Sequence, residues 1–245
     1  MTPAVFNERE RLRRSLFART WGELIPKVFE DVPRYYRLGN IVASLGLWEV
    51  WVSQFVDTVR LRRGDRVLDV CAGTNDVGIR LKRKQPGISV TAIDRSKEMQ
   101  QAGQRRAGRY GVRIDSLIHD VHRLPFDDAS FDVVTLQAAS RHLQLDKVLP
   151  EILRVLKPST PTVEFVYLRF LRMSVAWTAL VFGSTEESRT CVNYFGDAIM
   201  NFYTPEELSE VLRLVGFENV RCEKSIWGGM VAFHRSQRPR IRRTE

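Results

Sequence analysis

Short, strongly apolar runs alternate along this chain with stretches of helical character, the pattern of strands and helices in an α/β domain. Residues 67–70, VLDV, read as a buried strand that runs directly into a tight, partly glycine-rich turn. About two dozen residues later a second apolar strand ends in Asp94. A shorter apolar stretch ends at His119-Asp120, Leu124-Pro125-Phe126 makes a turn, and Ser130-Phe131-Asp132 opens a third apolar run, VVTLQAA. Residues 151–158, EILRVLKP, predict a helix that closes on a proline, and Gly216-Phe217 ends another helix before a terminal pair of strands. Nearer the start, Trp48 and Trp51 lie at helical spacing, which predicts core packing.

Acidic residues thus recur at three successive strand ends or turns. In a doubly wound sheet, ligands bind beyond the carboxyl ends of the strands, where small residues let the backbone approach and a carboxylate can grip ribose hydroxyls. Gly73 offers that approach and Asp94 that carboxylate. The turn, Cys71-Ala72-Gly73-Thr74-Asn75, lacks the G-x-G-x-x-G spacing, so a pyrophosphate finds no cradle. Asp69, at the end of the first strand, repels phosphate and suits a positively charged cofactor such as S-adenosylmethionine.

These segments together resemble a known family. VLDVxxGT, AIDRSKEM, HDVHRLPFDDASFDVV, EILRVLKP and LRLVGFENV resemble class I S-adenosylmethionine-dependent methyltransferases. The nearer resemblance is to the UbiE/MenG branch, the C-methyltransferases of ubiquinone and menaquinone synthesis. That branch's N-terminal pattern falls in register on Val32, Tyr36, Asn40, Ser44, Gly46 and Leu47. Its Thr-Gly-Asp turn stands here as Thr74-Asn75-Asp76, and its G-L-R-N loop as Ala139-Ser140-Arg141-His142. FYTPEELSEVLRLVGF and GGMVAFHR look like its closing elements, so the resemblance runs from about residue 28 to 235. It implies a Rossmann-like fold with a mostly parallel central sheet, helices on both faces and an N-terminal helical extension. The domain organisation expected is an extension or lid over 1–60, a methyltransferase domain over 61–235 and a disordered basic tail over 236–245.

Several positions depart from the family pattern. Arg37 replaces an Asp, Asn75 a glycine, His142 an asparagine, and Asp197-Ala198 a Glu-Ser pair. After Pro158 the chain reads Ser159-Thr160-Pro161 and then TVEFVYLRF, and the stretch before Tyr194 is roughly ten residues short by comparison. Either 162–167 form the central strand or that strand is missing. Loss of an interior strand would expose edges and break the strand order, so the strand is the favoured reading.

Length and composition agree with a soluble globular chain: 245 residues, 44% hydrophobic and 27% charged. Cys71, Cys191 and Cys222 lie far apart and form no metal spacing, which fits a reducing cytoplasm; no metal is expected at His119, Asp120 or His122. The N-terminus is charged with no apolar core behind it, so no signal peptide is read there. The run at 168–183 is too short to span a bilayer and reads as a buried helix, or as a wall for an apolar substrate or a bilayer surface. A net charge of +9, with basic clusters at 9–14 and 235–243, allows peripheral contact with anionic lipid; solvation is the default. Oligomeric state, homo-oligomers included, is left open.

The resemblance also implies roles. Asp69, Gly73, Thr74 and Asp76 would line the cofactor's turn, Asp94 its ribose, Met99 its adenine, Asp120 and Val121 the adenine edge, and Gln137 the start of the loop beyond the next strand. No Asn-Pro-Pro-Tyr stands there, which argues against methylation of a nucleic-acid base amino group. The implied substrate is a small apolar molecule, a prenylated quinol precursor, with Tyr36 and Asn40 at its pocket. Carbon is a poor nucleophile until a neighbouring hydroxyl loses its proton, so the site needs a base or a polarising group. Arg141 is the candidate to stabilise the phenolate and His142 the candidate to take the proton, with an ordinary pKa of about 6.5. Two other readings are a methyltransferase of a different small molecule and a non-catalytic relative, the latter favoured by Asn75 and the irregular stretch from Ser159.

Overall fold

The computed structural model of the protein describes residues 1–31, 33, 35–158, 161–168, 194, 197, 198, 200–224 and 231–240. Helices come first: α1 (Pro3–Arg19), a π-helical turn (Thr20–Leu24), α2 (Ile25–Asp31), α3 (Tyr36–Ala43) and α4 (Leu47–Thr58). Strands and helices then alternate as β1 (Arg66–Val70), α5 (Asp76–Lys84), β2 (Ser89–Asp94), α6 (Lys97–Arg109), β3 (Asp115–Ile118), β4 (Val133–Gln137), a 3₁₀ turn (Ser140–His142) and α7 (Leu145–Val155). β5 (Pro161–Leu168), α8 (Pro205–Val215), β6 (Glu218–Lys224) and β7 (Val231–Gln237) complete the described elements.

The strands form one sheet in the order β3-β2-β1-β4-β5-β7-β6. The first five run parallel, and β7 lies antiparallel between β5 and β6. β1 and β4 are central and covered on both faces, which is why they read as near-continuous apolar runs, interrupted only by Asp69 and Thr135 within VLDV and VVTL. On one face Leu68, Val70, Val134 and Leu136 pack with α7, α8 and Phe6 of α1; on the other Val67 and Val133 pack with α4 and α5, and Trp48 and Trp51 belong to this second cluster. β5 pairs with β4 through Val134↔Val163 to Gln137↔Val166, so the chain after Pro158 keeps the central strand. The apolar run that follows, over 169–183, lies outside the described residues.

One boundary read from sequence needs correction. β7 continues to Gln237, Ser236 is fully buried, and Arg238 donates to the carbonyls of Arg154 (2.7 Å) and Leu156 (2.8 Å). The tail therefore does not begin at 236, because the last strand needs these residues to pair with β5 and β6. In the basic cluster at 9–14, arginines are paired with acids of other elements or of α1 itself. Arg9 pairs with Glu207 at 2.7 Å, Arg13 with Glu10 and Arg14 with Asp146 at 2.5 Å each. Helix α1 buries Phe6, Glu10, Arg13 and Phe17, positions spaced to share one face. Among the described residues no helix is long and apolar enough to cross a membrane.

Candidate active site

The turn after β1 is built from left-handed backbone. Cys71, Gly73 and Asn75 have φ of 55°, 52° and 58°. Gly73 leaves room for its neighbour, since a Cβ there would lie 3.2 Å from the methyl carbon of Met99. Its N–H donates to Asp94 Oδ2 at 2.8 Å, and Ser96 N–H donates to Asp94 Oδ1 at 2.9 Å. Asp94, at the end of β2, thus ties the first turn to the start of α6; burial raises its pKa while those two N–H groups oppose the rise. Ser96 caps α6 by accepting from Met99 N–H at 3.2 Å and reaches the N-terminal helices by donating to the Phe29 carbonyl at 3.1 Å.

Gln100, which the sequence did not single out, supports the turn from behind. Its Nε2 donates to the Gly73 carbonyl at 2.9 Å and to Asn75 Oδ1 at 3.0 Å. Asn75 takes the left-handed conformation that a glycine would take, and its side chain faces Gln100 and Gly103 of α6.

Asp76 and one oxygen of Asp69 are committed to the protein's own groups. Asp76 accepts from Arg106 at 2.7 Å and Arg80 at 3.1 Å. Asp69 is buried on β1 and accepts from the Thr135 hydroxyl of β4 at 2.7 Å. Burial pushes its pKa up to about 7, against the Thr135 hydroxyl and the Gly78 backbone. A carboxyl raised in the folded state holds an extra proton between about pH 4 and pH 7. Its stabilising share is complete below pH 4, drains away as pH rises to about 7 and stays constant above. Asp69→Asn removes that dependence, so the variant gains about 2–4 kcal/mol relative to the unaltered chain between pH 4 and pH 8. Urea unfolding at a series of pH values measures it; a constant difference would mean that Asp69 ionises as an ordinary carboxylate.

At the end of β3, His119 N–H donates to the Asp94 carbonyl at 3.1 Å, Asp120 is solvent-facing and Val121 is buried in the core. Burial raises Asp120, but the His122 backbone and ring outweigh it and hold the carboxyl below its usual range. His122 Nδ1 meets Asp120 Oδ1 at 2.5 Å, and its Nε2 accepts from Gln144 N–H at 3.2 Å. This histidine therefore joins the β3 turn to the loop after β4.

That loop begins at Gln137, turns through Ala138 at φ 56° and carries Arg141 and His142 on the 3₁₀ turn. Arg141 Nη1 donates to the Ala138 carbonyl at 2.9 Å. His142 Nδ1 lies 2.5 Å from the Tyr194 hydroxyl, which accepts from Trp21 Nε1–H at 2.7 Å. Burial and the charges of Arg141, Arg13 and Arg95 hold His142 well below its ordinary pKa. The ring is neutral at physiological pH and, for the same reason, a weak base.

Tyr36 and Asn40 stand one turn apart at the start of α3, with Asn40 Nδ2 donating to the Tyr36 carbonyl at 2.9 Å. Burial raises the Tyr36 phenol; Arg141 opposes this, and Asp94 and Asp76 add to it. The Tyr36 side chain therefore lies in the fields of both the β4 loop and the β1–β2 turn. Carboxylates dominate the turn: Cys71 is raised by burial and then by Asp94 and Asp69, with Asp120 adding to it. A negative field of this kind suits a cation and disfavours phosphate, so the residues present fit a sulfonium-bearing cofactor.

Comparisons with known proteins show what the whole chain is similar to. The profile of the ubiE/COQ5 methyltransferase family matches residues 19–238. The ubiquinone/menaquinone biosynthesis C-methyltransferase UbiE of Xylella fastidiosa (strain M23) is 30% identical over 238 residues, covering 90% of this chain and 92% of that protein. The demethylmenaquinone methyltransferase of Staphylococcus aureus (strain JH9) is 33% identical over 226 residues, covering 86% and 92%. In structure, an S-adenosylmethionine-dependent methyltransferase from Thermotoga maritima superposes with a TM-score of 0.62 at 17% identity, covering 87% of this chain and 99% of that one.

Proposed function

The chain belongs to the ubiE/COQ5 methyltransferase family, and from that membership we propose that it moves the methyl group of S-adenosylmethionine to a ring carbon of a prenylated quinol precursor in the menaquinone or ubiquinone pathway. What supports this reading is that the Tyr36 side chain lies within electrostatic reach of both Arg141, on the β4 loop, and Asp94, at the end of β2. S-adenosylmethionine, when bound, supplies an electrophilic methyl group on a cationic sulfur. Gly73, Thr74, Asp94, Met99, Asp120, Val121 and Gln137 are the residues we assign to holding it. Asp69 and Asp76 act behind them, Asp69 through its Oδ1 bond to Thr135 and Asp76 through its pairs with Arg80 and Arg106.

Tyr36 and Asn40 flank the acceptor ring in this reading. Arg141 stabilises the phenolate that pushes electron density onto the ring carbon. His142 is poised neutral to accept the hydroxyl proton, but its low basicity leaves the larger share of the activation to the Arg141 charge. The loop reading Ala139-Ser140-Arg141-His142 instead of G-L-R-N supports a second acceptor, another small apolar molecule, as the alternative. Asn75 does not oppose activity, since its side chain packs on α6 and its backbone keeps the turn.

The test is incubation with S-adenosylmethionine and reduced demethylated naphthoquinol or benzoquinol, with mass spectrometry of the product. Ring methylation is expected, and Asp94→Ala abolishes it together with cofactor binding in calorimetry. Tight cofactor binding without methylation of either ring would point to the other acceptor class.

A further inference from the structure

The loop that carries Arg141 and His142 is held by a pair of charges that come from outside the family-matched span. Glu10 and Arg13 lie on α1, three residues apart, with exposures of 0% and 1%, whereas the family profile begins at residue 19. Glu10 Oε1 accepts from Arg13 Nη1 at 2.5 Å and from the Tyr203 hydroxyl at 2.8 Å. Its other oxygen, Oε2, accepts from Leu145 N–H at 2.8 Å. Arg13 Nη2 donates to the Arg141 carbonyl at 2.9 Å, and its guanidinium lies over the rings of Phe202 (5.1 Å), Trp21 (5.3 Å) and Tyr203 (5.8 Å).

A buried ion pair is a poor way to fill a core, because apolar side chains of the same volume do it as well without desolvating two charges. What this pair does beyond filling space is grip main chain at two points, 141 and 145. The second point is the first residue of α7, whose N-cap, Gln144, makes no side-chain capping bond. Glu10 supplies that cap from another helix, with a carboxylate at the end where a helix favours negative charge. One turn along, Arg14 reaches Asp146 in the same first turn of α7. Residues 10, 13 and 14 of one helix thus fix both ends of the segment that presents Arg141 and His142.

We propose that Glu10 and Arg13 are positioning residues for methyl transfer: they set the main chain from Arg141 to Leu145, and so the placement of Arg141 and His142 against the acceptor. The proposal rests on the reading that these two face the acceptor. It separates the two halves of the site, since neither Glu10 nor Arg13 makes a described contact with the β1–β2 turn. Among the described residues, the charged and titratable groups that bear on His142 include Arg141 on its own turn, Arg13 from α1, Arg95 from the β2 end and the Tyr194 hydroxyl.

Two variants test it. Glu10→Gln keeps the shape and removes the charge; E10M/R13M replaces the pair with apolar groups of similar length, so that the core stays filled. Calorimetry with S-adenosylhomocysteine is expected to give unchanged affinity for both, while kcat on the quinol falls at least tenfold in the double variant. Two further readouts do not depend on the acceptor's identity. By NMR, the His142 ring, assigned with His142→Asn, titrates at higher pH in E10M/R13M because one repelling cation is gone, and the Leu145 amide exchanges faster in Glu10→Gln. A folded double variant with unaltered kcat overturns the proposal, whatever the His142 titration does, as does unchanged Leu145 exchange in Glu10→Gln should the double variant not fold. If the unaltered protein methylates no quinol, the acceptor reading fails on its own, and the Leu145 exchange still decides whether the pair holds the loop.

Discussion

Replacing Arg141 by alanine lowers turnover of the acceptor by about two to three orders of magnitude, the usual cost of removing one preorganised group that stabilises developing negative charge. The effect falls on the chemical step. Arg141 is nearly buried, its guanidinium anchored on the Ala138 carbonyl, and its charge reaches the Tyr36 side chain at the start of α3. A cation held in a water-poor cleft lowers the cost of ionising an acceptor hydroxyl far more than one in solvent would. S-adenosylmethionine is itself cationic, so losing Arg141 does not weaken its binding, and affinity measured by calorimetry stays level or improves slightly. The pH profile carries a second signature. After burial, the Arg141 charge is the next cause that holds His142 low; without it the His142 titration moves up in pH, and the acid limb of kcat/KM moves with it. Arg141→Lys recovers part of the rate, because it restores the charge without the guanidinium's hydrogen-bond geometry. Equal losses in kcat and in cofactor affinity would mean that Arg141 serves the fold rather than the reaction.

Gly103→Ala destabilises the protein by about 1–3 kcal/mol, the usual cost of forcing an extra methyl into a filled core. The sign is the informative part, since in a helix interior alanine is ordinarily better than glycine by about 1 kcal/mol. Here a Cβ on residue 103 would lie 2.7 Å from Asn75 Cγ and Nδ2 and 2.9 Å from the Thr74 carbonyl carbon. The Asn75 side chain and α6 cannot both stay in place, and Thr74 belongs to the cofactor turn. Cofactor affinity is therefore expected to fall about tenfold, roughly 1.4 kcal/mol, alongside the loss of stability. Adding Asn75→Gly relieves the side-chain clash but not the one with Thr74, so the double variant recovers only part of the loss. Denaturant unfolding and calorimetry on the single and the double variant measure both quantities. A single variant as stable as the unaltered chain would mean that the Asn75–Gly103 contact is slack.

Much of this was legible from sequence for a simple reason. β1, β2 and β4 are central parallel strands, and burial on both faces leaves apolar runs that few other structures produce. Gly73 and Asp94 were legible because close backbone approach and an acid at a strand end each demand a particular residue type. The supports behind them were not. Gln100 and Thr135 are polar residues whose partners are far off in sequence, and such a residue on a helix or strand otherwise reads as solvent-facing. Glu10 and Arg13 hid more completely: two of the four buried positions of α1 are charged, so the stripe Phe6, Glu10, Arg13, Phe17 shows little apolar periodicity. A hydrophobic pattern cannot reveal a buried face that is neutralised by pairing. Asn75 looked like damage to the turn because the sequence does not show that the residue beside its side chain is Gly103.

The antiparallel insertion of β7 has a consequence for the order in which the protein can be completed. Strand β5 is bounded by β4 on one side and by β7 on the other. A chain emerging from synthesis can lay β5 against β4 as soon as residue 168 is available, but β5's other edge stays unpaired until residues 231–237 arrive. β6, made earlier, has no place in the sheet until β7 fills the gap between them. The interior strand of the finished molecule is thus an edge strand for the whole interval in which α8 and β6 are being made, and such an edge invites pairing with other chains. Truncation within the last strand therefore does more than trim a terminus: it leaves that edge open and β6 without its partner.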